Sequence, residues 1–248
     1  EFEAMVSALY EFEYEEQEVS GFISGPFTDR FRGRLAASHR EVNGHIENAT
    51  LSTDDPDRVE KMARAWLEFD VNDNLTVSLK AEIGEFDVDG RQIEIVNELP
   101  VPGAPSPTNP FGGRTYSEIL FALGQGSSVL NNTADYVRSS NGDFSDNNTD
   151  EYVLQADWQL GENTLTLINS YSKYDFSELC DCDFTGGNVF SVIMDEEFDQ
   201  TSHEIRLTSP TGNKLEYILG GYYETSDLEF RDTIQVAANS VLVPLLNS

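Results

Sequence analysis

Three groups of residues in this chain have types and spacings that could do chemistry. The first is Cys180-Asp181-Cys182-Asp183, which holds the only two cysteines. It sits inside Asp175–Asp199, a stretch with eight acids and no Lys or Arg. Such a stretch could capture a divalent cation or a cationic solute; the alternative is a solvated acidic surface. Two cysteines cannot make a four-thiolate zinc site, and the further ligands zinc would need cannot be placed. A bond between cysteines two apart is awkward but fits the ~4.4–6.8 Å Cα window, so Cys180 and Cys182 are a candidate disulfide. The second group is Asn141–Asp150, where Asp143, Asp146, Asn148 and Asp150 place oxygen ligands densely, as structural calcium loops do. The spacing is not that of an EF-hand, and a polar loop is the plain alternative. The third group is a set of charges at alternate positions: Arg30, Arg32, Arg34, Arg64, Glu68, Lys80, Glu82, Asp157, Glu204, Arg206 and Glu216. Catalysis has no comparable constellation. His39, His45 and His203 lie on separate segments, and there is no G-x-S-x-G elbow, H-E-x-x-H pair or P-loop. The chain is not expected to be an enzyme.

The elements that must position these groups read as strands. Period-2 alternation dominates, and helical periodicity is nearly absent. Leu75, Val77, Leu79, Ala81 and Ile83 share one face against Thr76, Ser78, Lys80 and Glu82. Tyr152, Leu154, Ala156, Trp158 and Leu160 do the same against Val153, Gln155, Asp157 and Gln159. Nine strands are predicted, at about 4–13, 17–24, 30–42, 59–70, 75–87, 150–160, 163–175, 199–209 and 214–228. Their connections alternate in length. Short polar turns fall at 24–29, 71–74, 161–163 and 210–213. Long connections fall at about 43–58, 88–149 and 176–198, with a last one at 229–248. A short helix is predicted at Tyr116–Leu123, after the Pro-rich run 100–110.

Short turns at one end and long loops at the other are the habit of an outer-membrane barrel. If Leu75, Val77 and Leu79 face lipid, the eleven charges above face the lumen. There they would hold a plug and pass solute, or merely pair across strands. Tyr10, Tyr14, Phe86, Tyr171, Tyr174, Tyr222 and Tyr223 near the long-loop ends would form an interfacial girdle. The composition agrees. A formal charge of −30 over 248 residues excludes a nucleic-acid partner. With 39% apolar and 11% aromatic residues the chain is not a disordered acidic one. A mean hydropathy of −0.40 is what alternating lipid-facing and lumen-facing residues should produce.

Two segments carry a resemblance. Val19-Ser20-Gly21-Phe22-Ile23-Ser24-Gly25-Pro26-Phe27-Thr28-Asp29, with Arg30, Arg32 and Arg34 behind it and Val42-Asn43-Gly44-His45-Ile46-Glu47-Asn48 beyond, resembles the "VSGPL-(S/T)-D … DGYIEN" hairpin of TonB-dependent outer-membrane receptors. His203-Glu204-Ile205-Arg206-Leu207-Thr208-Ser209-Pro210, followed by Gly220-Gly221-Tyr222-Tyr223, resembles that family's "QE-(I/L)-RL-x-SP" strand and the next strand ending "GLYY". The resemblance implies a partial antiparallel up-and-down transmembrane β-barrel, all of 1–248 being one portion of it. The family's barrels have 22 strands, so nine cannot close one. By the family's order, a plug and a TonB-contacting segment should precede Glu1, and further strands should follow Ser248. The implied function is active uptake of a scarce solute across a Gram-negative outer membrane. That solute would be a ferric siderophore, cobalamin or a saccharide. The implied partners are outer-membrane lipid, the chain's own plug and remaining strands, the TonB system and the solute. No cofactor is implied beyond the calcium candidates. An outer-membrane loop is an oxidising setting, which suits a Cys180–Cys182 bond. From other classes, the competing readings are a secreted or surface adhesin or lectin-like sandwich and a passive porin.

Overall fold

The computed structural model describes residues 1–126 and 129–243. The expected loops 88–149 and 229–248 therefore fall in part outside the described residues, at 127–128 and 244–248. The chain is nearly all strand. In order it runs β1 (Glu3–Tyr10), β2 (Gln17–Pro26), β3 (Phe31–Val42), β4 (Ile46–Asn48), β5 (Thr53–Asp55), β6 (Asp57–Asn72), β7 (Leu75–Asp89), α1 (Tyr116–Ala122), β8 (Val137–Arg138), β9 (Phe144–Leu160), β10 (Asn163–Cys180), β11 (Ser191–Thr208) and β12 (Ile218–Gln235).

Nine strands form one antiparallel sheet in the order β1-β2-β3-β6-β7-β9-β10-β11-β12, each beside its sequence neighbour within the sheet. The sheet is open, with β1 and β12 at its edges. Register follows the hydrophobic pattern, because a one-residue slip would turn every apolar side chain to the other face. Leu67 pairs with Leu79, Leu79 with Leu154, and Leu154 with Asn169, so one face carries a continuous row. The β9–β10 turn needs only Gly161 and Glu162, and Gly161 takes the positive φ (66°) that two-residue hairpins favour.

The strands outrun their predicted ends. β9 starts at Phe144 rather than 150, β10 continues to Cys180, and β11 starts at Ser191 rather than 199. Above the apolar zone the hydrophobic alternation stops while the backbone ladder goes on: residues 146–150 of β9 are polar on both faces, and Asp195, Glu197 and Asp199 of β11 put charge on the face that is apolar lower down. β12 runs Ile218–Gln235, four residues later than expected at its start, so residues 229–235 are strand and not loop.

The long connections form a second layer with its own packing. β4 pairs antiparallel with β5 and parallel with β8, which ties connection 43–56 to connection 90–143. α1 is set by a capping box, Thr115 accepting from Glu118 N–H and the Glu118 carboxylate from Thr115 N–H. Its buried Leu120 packs with Val189 and Val241, joined by Tyr116, Leu123 and Phe190. Burial separates the two layers. Among the described residues the buried apolar side chains are Ile46, Leu120, Cys180, Val189 and Val241, none in the middle of the large sheet.

Candidate functional site

The large sheet has two chemically distinct faces. On one, Phe31, Leu35, Phe69, Val77, Leu79, Leu154, Trp158, Leu167 and Ile205 align through their cross-strand partners. These side chains are exposed or half-buried, Leu35 at 46%, Leu154 at 47% and Ile205 at 50%. A soluble sandwich would bury this face against a second sheet. Along β7 the apolar run Leu75–Ile83 is about 30 Å of strand at ~3.3 Å per residue; a tilt of ~40° brings it close to the ~25 Å apolar band of an outer-membrane barrel. Beyond it the same face turns charged, with Asp150, Lys173, Asp199 and Asp227 in one row.

Nine of the eleven charge candidates lie on the opposite face. Arg32 pairs in register with Glu68, Arg34 with Trp66, Trp66 with Lys80, Arg64 with Glu82, and Thr166 with both Asp157 and Arg206, while Glu204 joins the row of Gln155 and Ile168. They are largely each other's partners. Arg32 binds Glu68 and, at 2.6 Å, Asp70. Arg64 binds Glu82 at 2.7 Å, and Lys80 bridges Glu82 at 3.2 Å and Glu151 at 2.7 Å. Asp157 accepts from Thr166 Oγ1 at 2.6 Å, and the Arg34 guanidinium sits 3.6 Å over the Phe22 ring. Exposed pairs of this kind are worth at most ~1 kcal/mol each. Two candidates are corrected. Arg30 lies in the β2–β3 turn, beside exposed Asp73 at 3.7 Å. Glu216 lies in the β11–β12 connection, where its carboxylate accepts the Gly212 N–H. Both precede the strands they were assigned to, so neither has a sheet face.

The girdle is also corrected by parity. Tyr171 and Tyr223 share the apolar face, but Phe86, Tyr174 and Tyr222 stand on the charged one. Neighbours such as Tyr222 and Tyr223 must diverge in a strand.

The calcium candidates do not converge. Asp146, Asn148 and Asp150 lie at alternate positions on one face of β9, spread along the strand and not wrapped in a loop. Asp143 is committed elsewhere, as described below. Among the described residues no three His, Cys, Asp or Glu side chains form a metal-sized group. Cys180 and Cys182 are bonded, with Cα atoms 5.0 Å apart.

The connections hold a buried charge network that pattern reading missed. Arg138 is 2% exposed. It reaches Asp55 at 3.3 Å, Asp143 at 2.6 Å and the Arg91 carbonyl at 2.8 Å. Asp143 also accepts from the Asp181 N–H at 2.7 Å, so one guanidinium ties together connections 43–56, 90–143 and 181–190. Its one sequence signal is isolation: Arg138 is the only Lys or Arg between Arg114 and Lys173. Next to it, burial pushes the Asp181 carboxyl up to about 7, helped by the charges of Asp183 and Asp143, and burial raises Asp183 as well. Both border an open cleft of about 710 Å³, with Asn141, Phe190 and Gln235. Tyr116 donates to the Asp183 carbonyl at 3.2 Å, and burial lifts its phenol well above the usual range.

These features define a class: the wall of an antiparallel up-and-down transmembrane β-barrel, present in part, with a packed layer of loops at one end. A solved structure shares that architecture. The ferric yersiniabactin uptake receptor FyuA from Yersinia pestis superposes with a TM-score of 0.61 at 13% identity, over 90% of this chain and 30% of that one. The chain thus spans less than a third of that receptor's length. The FpvAI–pyocin S2 complex aligns over 94% of this chain and 37% of its own at 12% identity, with a TM-score of 0.33, too loose to define a fold. No protein-family model matches the sequence, and no curated protein does. At such identities the likeness is one of fold. No helix among the described residues is long and apolar enough to cross a membrane, which leaves crossing by strands untouched.

Proposed function

We propose that this chain is part of the barrel of an outer-membrane receptor that takes up a scarce solute with energy delivered through the TonB system. What carries the reading is the apolar face. An open array of long antiparallel strands keeps an exposed apolar band of outer-membrane height on one side and interlocked charges on the other. Water penalises such a face, and lipid accepts it. The backbone pairing of every strand with its neighbours is what a bilayer demands, since lipid cannot satisfy N–H or C=O groups. The two motifs quoted above add TonB dependence, and the FyuA-like fold adds the receptor type.

In this reading the solute meets the loop layer first. Connections 88–149 and 176–198 contact it and close over it, while a plug inside the barrel, pulled from the inner membrane, opens the path. The charged face lines the lumen. The test is fractionation followed by deletion. The intact receptor should sediment with outer membranes and require detergent. Removing both loops should abolish solute binding while leaving the barrel inserted. Recovery as a soluble protein without detergent would refute the barrel reading and favour a secreted binding module; unaltered solute binding after loop deletion would refute the role of the loops.

A further inference from the structure

Several parts of the loop layer meet on residues 181–190. The Asp181 N–H reaches Asp143 at 2.7 Å, and the Asn141 side chain donates to the Gly187 carbonyl at 2.8 Å. Tyr116 of α1 donates to the Asp183 carbonyl. At the other end the Ser240 hydroxyl holds the Val189 carbonyl, and the Val241 N–H holds the Asn188 carbonyl at 3.2 Å. The connection therefore joins 139–143, α1 and 239–241, and the open cleft of about 710 Å³ lies between it and residues 234–237.

Its first turn carries two carboxyl groups, Asp181 at 3% and Asp183 at 6% exposed. They hydrogen-bond each other, which requires a proton on one of them. Every neighbouring cation is committed elsewhere. Arg138 binds Asp143 and Asp55, and Arg91 binds Asp143 and Glu178 of β10. α1 presents only the Tyr116 phenol, and residues 234–237 present no titratable group. Two buried carboxyls without a cation cannot both ionise. Asp183 is the natural anion. It accepts from the Thr185 N–H at 3.0 Å, the Thr185 hydroxyl at 2.6 Å and the Phe190 N–H at 3.2 Å. Asp181 accepts from the Asn141 N–H at 2.7 Å, and the Ser140 hydroxyl beside it is also claimed by Asp143. Asp181 is the member that stays protonated, and burial raises both groups.

We infer that the single proton shared by Asp181 and Asp183 is a latch: while it is present, residues 181–187 stay fastened to 139–143, and when it leaves, that turn works loose and the cleft widens. Its loss places two adjacent charges in a site with no cation to spare, beside a third carboxylate at Asp143. The other end of the connection stays on Ser240 and Val241, so the movement is local. The uptake reading enters only in placing this layer at the outer surface, where external pH reaches it.

The experiment is hydrogen exchange on the intact protein between pH 5 and pH 8, with residues 181–187 referred to the β6–β7 ladder of the same molecule so that intrinsic rates cancel. With an ordinary carboxyl value of 3.8 in the loosened turn and about 7 in the fastened one, relative exchange in wild type should rise by roughly one to two orders of magnitude across this range. Asp181→Asn should remain slow at both pH values, because its amide is uncharged and still donates to Asp183. Asp143→Asn should keep the pH response, which separates the shared proton from the Arg138 network. A flat wild-type profile overturns the latch. So does a pH response that survives in Asp181→Asn, or fast exchange of that variant at pH 5, where a neutral donor should hold the turn. A protein absent from outer membranes would bring down the uptake reading and the external-pH role, while the exchange profile still decides the latch itself.

Discussion

Replacing Arg138 by Met should release the loop layer from the sheet without unfolding the sheet. Arg138 is 2% exposed and faces two buried carboxylates, Asp55 at 3.3 Å and Asp143 at 2.6 Å. Removing one partner of a buried ion pair costs ~3–5 kcal/mol, because the remaining charge is left uncompensated; here that charge is Asp55, since Asp143 keeps Arg91 at 3.4 Å. At ~1.36 kcal/mol per tenfold, amide protection of residues 135–143 and 46–55 should fall by roughly two to four orders of magnitude. Protection in β6, β7 and β10 should stay within a few-fold, since those ladders do not depend on the guanidinium. The pH dependence has a definite sign. Burial raises the Asp55 carboxyl above its ordinary value, and Arg138 opposes that rise. Without Arg138 the folded-state value climbs further, so protonation relieves the variant. Its defect should shrink as pH falls from 8 to 5. The triple variant Arg138→Met, Asp55→Asn, Asp143→Asn should recover most of the protection. Hydrogen exchange on the intact receptor reads all of this. Unchanged protection in Arg138→Met, or an equal defect at pH 5 and pH 8, would refute the charge-network account.

Adjacent residues on β9 separate the faces. Leu154→Arg should cost ~2–4 kcal/mol of barrel stability and depress assembly, whereas Gln155→Arg, beside Asp157, should be tolerated; heat-modifiability on gels reports both. Asp181 holds its proton to about 7, above the ordinary carboxyl value of 3.8. A raised folded-state value stabilises the loop layer fully only below about 4, and that stability is lost as pH rises through about 7. Protease resistance of connection 181–190 should therefore decline toward pH 8, and Asp181→Asn should flatten the profile. The Cys180–Cys182 bond closes only a three-residue ring, so the Cys180→Ser, Cys182→Ser variant should lose about 1.5 kcal/mol on chain-entropy grounds, confined to the loop layer.

Much of the fold is legible in the residues because a two-faced strand writes its own pattern. Leu75–Ile83 and Tyr152–Leu160 announce strand, register and apolar side at once. The capping box at Thr115 and Glu118 marks α1 equally directly. The upper halves of β9, β10 and β11 escape, since Asp146–Asp150 are polar on both faces, and Asp195, Glu197 and Asp199 put charge on the face that is apolar lower down, so the alternation that marks the lower strands stops. The same blindness turned a strand segment into a calcium loop. The aromatic side chains on the charged face were within reach: parity alone puts Phe86 and Tyr174 opposite Glu85 and Lys173, on the charged side. The Arg138 network was not, because its partners come from three separate connections and only tertiary folding brings Asp55 to a residue 83 positions away.

The barrel account stands or falls on which face touches lipid, and the chain's two tryptophans stand on opposite faces. Trp158 pairs with Leu75 and Leu165 on the apolar face, and Trp66 pairs with Arg34 and Lys80 on the charged one. With the intact receptor in vesicles of brominated phospholipid, the emission lost on making Trp158→Phe should be strongly quenched by the lipid bromines. The emission lost on making Trp66→Phe should be indifferent to them. Equal quenching of the two, or quenching of Trp66 alone, would contradict the assignment of faces and with it the outer-membrane barrel.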